Sequence, residues 1–239
     1  MTDMPTMKRP LQTSPGAPSA ALRARIIASA SSEPSATRSQ RFFRHGALGV
    51  ATSLLPILVF LAYGGIRTSP RPATLVLETA FGSASIALGV AYLALGRGRS
   101  MVGRPRLWLV GLALLTPILL LALKVLLSAR HPAMMAEWVE RPGFRCLRLS
   151  SVLCAAPLCA LLWSRRNSDP THPYAAGAAL GAAVGAGAWV LVDLWCPVAH
   201  VSHLLLGHVL PLSLVIAFGA LVGGRILVTR AKSASSAPH

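Results

Sequence analysis

From Cys196 the chain reads Cys-Pro-Val-Ala-His-Val-Ser-His, so a thiol and the imidazoles of His200 and His203 share one short stretch, with His208 close behind. Thiolate and imidazole are soft to borderline donors, a set that suits zinc(II), cadmium(II) or copper(I). Cys146 offers a second thiol, and Met134 and Met135 offer thioether sulfur. Metal binding or redox sensing is the chemistry this cluster could perform. Against it, C-x3-H-x2-H is not a zinc-finger spacing, and histidines are ordinary residues at a membrane boundary. The other two cysteines, Cys154 and Cys159, read as small apolar core residues. There is no P-loop, dinucleotide fingerprint, H-E-x-x-H or G-x-S-x-G pattern, and no enzymatic activity is expected.

A second set of chemically costly residues consists of Glu78, Lys124, Arg148 and Asp193, each set within or at the edge of an apolar run. Two acids and two bases at one depth can form ion pairs, either Glu78 with Lys124 and Asp193 with Arg148, or with partners exchanged. The plainer alternative is that the long basic chains reach out to the interface.

The elements that must position these groups are long apolar segments. With 54% hydrophobic and 13% charged residues, the chain is too apolar for an ordinary soluble domain. Runs of roughly 20 residues match a helix crossing about 30 Å of hydrocarbon. Six are present: Gly46–Ile66, Ala73–Leu95, Leu107–Leu127, Cys146–Trp163, Pro173–Trp195 and Leu204–Val228. The fold class expected is all-α, a polytopic membrane bundle of about six transmembrane helices. Residues 1–45 and 229–239 form tails on either side of a membrane domain at 46–228. Pro56, Pro117, Pro157 and Pro211 fall near the middles of four spans and predict kinks. Gly177, Gly181 and Gly185 in the fifth span, with Gly219 and Gly223 in the sixth, predict close helix packing. Trp108, Trp163 and Trp195 at span ends fit an aromatic belt, and Met134, Met135, Trp138 and Val139 could lay a short helix on the interface.

The net charge of +16 raises the question of nucleic acid, and the placement of the charge answers it. Of the 23 cations, 16 precede the first span, fill the second and fourth connections, or lie at the end of the last span and beyond it. By the positive-inside rule those regions and both termini are cytoplasmic, which accounts for the cations without direct nucleic-acid binding. The cysteine–histidine cluster and the four intramembrane charges then lie towards the outer face, and any transition-metal ion would bind there. In the N-terminal tail, residues 19–31 can form a short helix with Leu22, Ile26 and Ile27 on one side and Arg23 and Arg25 elsewhere. It serves either as a membrane-surface helix or as a docking segment for a cytoplasmic partner.

Several stretches together resemble the NrsF family of six-span bacterial anti-sigma factors. They are CLRLSSVLCAAPLCALLWSRR from Cys146, HPYAAGAALG from His172, DLWCP from Asp193, GHVLPL from Gly207 and GALVGGR from Gly219. In the tail, LRARIIA from Leu22 and PSATR from Pro34 are also similar to some members. The resemblance implies an inner-membrane protein that holds an extracytoplasmic-function sigma factor inactive and releases it on an outer stimulus. By that correspondence Cys146 and Cys196 are the sensing cysteines. Residues 19–45, the only non-membrane segment long enough to present an apolar face together with a basic one, would then dock the sigma factor, with Leu22, Ile26 and Ile27 entering a groove and Arg23, Arg25 and Arg38 at its rim. Many members carry His before the second cysteine and aromatic residues early in the last span, whereas this chain has Trp195 and His208 there. The alternative is a small transporter or metal permease, suggested by the kinked spans and the Cys/His cluster but lacking polar residues at mid-depth.

Overall fold

The computed structural model describes residues 21, 24, 38–67, 71–96, 104–136, 143–166 and 171–228. The chain divides into two compact units, Met1–Phe43 and Arg44–His239. Leu22, Arg23, Arg25, Ile26 and Ile27 lie outside the described residues, as does the side chain of Arg38, whose backbone opens the helix Arg38–Gly49. The helix foreseen over 19–31 therefore falls almost wholly outside the described residues.

The described residues are helical and contain no strand. Six helices are long and apolar enough to cross a membrane: α1 (Phe42–Ala62), α2 (Ala73–Leu95), α3 (Arg106–Ser128), α4 (Phe144–Ser164), α5 (Pro173–Trp195) and α6 (Val201–Ile226). The second and fifth coincide with the runs read from sequence. The first ends before the expected Ile66 because Gly64 and Gly65, at φ 102° and 63°, take left-handed conformations that a helix does not continue. The expected interfacial helix around Met134 is a single 3-10 turn, Pro132–Met134; Trp138 and Val139 lie outside the described residues.

At the centre stands α5, which packs against α2, α3, α4 and α6. Its sequence explains this position: Gly and Ala dominate it, so neighbouring backbones come close. A Cβ placed on Gly177 would sit 2.1 Å from Gly219 O, and one on Gly181 would sit 2.6 Å from Val215 O. Large apolar side chains face the other way. Leu77, Phe81, Leu88 and Tyr92 of α2 and Leu107 and Leu114 of α3 are exposed on the bundle surface. An aqueous protein would bury such residues; lipid reverses the requirement, because tails solvate Leu as well as a protein core does.

Two of the four mid-span prolines follow π-helical turns, Val50–Leu54 before Pro56 and Leu205–Val209 before Pro211. Proline has no N–H to give to the carbonyl four residues back, and its ring clashes with that carbonyl. Widening the preceding turn absorbs both problems, and the N–H of Leu55 and of Leu210 each reach back five residues, to Val50 O and Leu205 O. Pro117 and Pro157 lie inside uninterrupted α-helices.

Candidate functional site

At the end of the bundle where α4 and α6 begin and α5 stops, Cys146, Cys196, His203 and His208 converge. All four are buried, and their ligand atoms lie within 4.8 Å of one another. His203 Nε2 is 3.4 Å from Cys146 Sγ and 3.1 Å from Cys196 Sγ. No disulfide joins the two cysteines.

Local structure explains how residues so far apart in sequence meet. Gly143, at φ 104°, opens α4 and turns Cys146 inward. A Cβ on Gly207 of α6 would be 3.0 Å from the Cys146 Cβ and 3.1 Å from Gly143 O. Only glycine lets the start of α4 approach α6 this closely. Cys196 follows the last turn of α5, its N–H bonded to Val192 O at 2.7 Å. The π turn then sets the histidines: five positions on an α-helix are about 140° apart around the axis, but a turn closed between i and i+5 brings such residues towards one face. His203 and His208 accordingly stand with ring centroids 5.8 Å apart. His208 also packs edge-on to Trp189, and neither of its ring nitrogens has a hydrogen-bond partner among the described residues.

His200, included in the metal set from sequence, is not in this cluster; its Nδ1 is 2.8 Å from Ser202 Oγ. Met134 is buried against Leu75 and Ala199, and its carbonyl accepts the Ala199 N–H at 2.9 Å. It braces the stretch after Cys196 by packing. Cys154 is buried in the core as expected, whereas Cys159 faces out of the bundle. Trp195 turns inward too, its indole N–H donating to Tyr63 O at 2.9 Å with Arg67 stacked on its ring. Trp108 and Trp163 are exposed, as a belt requires.

Beneath the cluster lies a buried ion pair, Lys124 Nζ to Asp193 Oδ1 at 2.5 Å. This is one half of the exchanged pairing; the other half, Glu78 with Arg148, is not made. Arg148 is exposed, and Glu78 meets Arg130 at 3.7 Å on the surface. One residue was not foreseen as part of the site. The buried Arg71 gathers three carbonyls, Asp193 O at 2.7 Å, Leu194 O at 2.5 Å and Arg67 O at 2.5 Å. It satisfies the C-terminal carbonyls of α5, where a cation also meets the negative end of the helix dipole. Its sequence context, a cation between two prolines in a connection, gives no sign of burial.

The charges are tuned to one another. The Cys146 side chain first, with the imidazoles of His203 and His208 adding to it, holds the Cys196 thiol well below the usual thiol range against the opposing effect of burial. Burial pulls the Arg71 guanidinium down from its ordinary value, while Asp193 and Cys196 oppose the change. A thiol biased to thiolate beside a second thiol and two imidazoles can bind a soft cation or form a disulfide.

The family described as NrsF, negative regulator of sigma F, matches residues 28–228, a stretch that takes in all six helices and the whole cluster. No curated protein and no solved structure gives a match. With most of its length matched, the chain belongs to the NrsF family of negative regulators of sigma F.

Proposed function

We propose that this chain is an inner-membrane anti-sigma factor that sequesters an extracytoplasmic-function sigma factor on its cytoplasmic side and releases it on an outer redox or metal stimulus. The observation that carries the reading is the family match, since it spans every helix together with the cluster in which Cys146 and Cys196 meet. The cation distribution supports cytoplasmic termini and an outer location for the cluster. Family membership favours this reading over the permease.

In this account the stimulus acts on α4, α5 and α6 at once, because each supplies or adjoins a ligand. A change in how their ends are held shifts the bundle, and the tail segment bearing Leu22, Arg23, Arg25, Ile26, Ile27 and Arg38 stops presenting its docking face. The apolar residues enter a groove on the sigma factor while the arginines meet acidic groups at its rim. Tenfold release needs a differential of only about 1.4 kcal/mol between the two bundle states.

The test is to purify the full chain from solubilised membranes and identify co-purifying RNA-polymerase sigma subunits, alongside a reporter driven by the captured subunit. Capture and repression by the full chain are expected, and deletion of residues 1–35 should abolish both while leaving membrane insertion intact. A truncated protein that still represses would move the docking surface to the arginine-rich connections.

A further inference from the structure

We infer that Cys146, Cys196, His203 and His208 form a four-coordinate site for one divalent d10 cation of soft to borderline character, zinc(II) or cadmium(II), with the two histidines as ligands equal in standing to the cysteines. The inference rests on the reading of this cluster as the sensor and gives it a ligand set.

Geometry is the first support. In a tetrahedral site with metal–sulfur bonds of about 2.3 Å and metal–nitrogen bonds of about 2.05 Å, the sulfur–nitrogen edge is about 3.6 Å. The two edges from His203 Nε2, at 3.4 and 3.1 Å, are close to that length. All four ligand atoms fall within 4.8 Å of each other, so small side-chain rotations complete the figure. His208 is the second, independent support. It is 2% exposed, and neither ring nitrogen has a hydrogen-bond partner among the described residues. Polar groups buried in that way are costly, and coordination would remove the cost.

Charge balance selects the cation. Two thiolates and two neutral imidazoles around a divalent ion make a neutral complex, which suits a buried position; a monovalent ion such as copper(I) would leave a net negative charge there. As each metal–sulfur bond forms, the thiol proton it replaces leaves to water. The consequence is mechanical. Cys146 stands at the start of α4, Cys196 just past the end of α5, and both histidines in α6, so one ion would pin three helices at one end.

The test uses the full-length protein, reduced and stripped of metal in detergent, titrated with cobalt(II) by absorbance and with zinc(II) and cadmium(II) by elemental analysis. One equivalent is expected, with a thiolate-to-cobalt charge-transfer band and the intense visible bands of tetrahedral cobalt(II). Cys154→Ser, Cys159→Ser and His200→Ala should leave the titration unchanged. His203→Ala and His208→Ala should each weaken binding by more than about tenfold, since even the outer partners of metal ligands carry losses of that size. A spectrum without the charge-transfer band, or both histidine variants titrating like the unmutated chain, would overturn the assignment. Should either variant misfold, the unmutated protein decides: zinc(II) must protect Cys146 and Cys196, but not Cys159, from alkylation, and must quench the exchange of the His203 and His208 ring C–H groups. Unprotected cysteines or freely exchanging rings overturn it equally. No sigma factor enters these measurements, so lost metal binding with sigma capture intact sinks this inference alone, and the converse sinks only the functional reading.

Discussion

Asp193 is the residue on which the interior charges depend. Its carboxylate holds Lys124, its backbone carbonyl accepts from Arg71, and both ion-pair partners are nearly inaccessible, at 1% and 3% exposure. Removing one member of such a pair leaves the other as an uncompensated buried charge, which costs about 3–5 kcal/mol. Asp193→Asn should therefore lower the thermal midpoint of the purified protein sharply. Lys124→Met combined with Asp193→Asn should recover much of the loss, because no charge then remains to be desolvated. A double variant no more stable than Asp193→Asn alone would show that Asp193 acts through some contact other than Lys124. The pair was legible as a set of four costly residues, but the choice of partner was not. Depth is encoded in position along a span, whereas direction around the helix is not.

At the scale of elements, the contact between α5 and α6 is made of backbone. The Gly177 position meets both Gly219 O and the Gly223 Cα, so a methyl group there cannot be accommodated by a side-chain rotation. Gly177→Ala should separate the helices at a cost of about 1–3 kcal/mol, the usual range for overpacking. Gly187 is the control on the same helix: it is exposed and a Cβ would meet nothing within 4 Å. Gly187→Ala should be neutral or slightly stabilising, as alanine has the better helix propensity. Thermal unfolding of the two variants side by side checks this, and equal effects would remove the packing argument. The repeat of small residues announced this contact in the sequence, because spacing of four places residues on one helix face whatever that face touches.

For the molecule as a whole, the cation distribution is the support for the orientation proposed above. Cys196 is a poor reporter of it, since only 2% of its surface is accessible, and Cys159 faces outward from a span. Introduced thiols at exposed connections serve better. Ala129→Cys, just beyond α3, should react with a membrane-impermeant maleimide applied to spheroplasts, and Arg166→Cys, just beyond α4, should react only after the membrane is opened. Inverted labelling would place the cysteine–histidine cluster on the cytoplasmic side and remove the outer stimulus from the mechanism.

The sequence by itself determined the class of fold, the number of helices and, for α2 and α5, their ends. These are local properties: an apolar run of the right length needs no partner to become a helix in lipid, where every backbone group must be satisfied within the segment. It also brought Cys146 and Cys196 to one end of the bundle. Only the tertiary structure decided that His203 and His208 complete the group while His200 turns to Ser202, that Lys124 chooses Asp193, that Trp195 faces inward, and that Arg71 closes the end of α5. In a soluble helix the apolar stripe reports which side is buried. Here lipid-facing and core-facing surfaces are both apolar, so that signal is absent. Rotation about each axis is set instead by glycine contacts and by the π turn ahead of Pro211, both of which act between or across turns rather than along the run of residues.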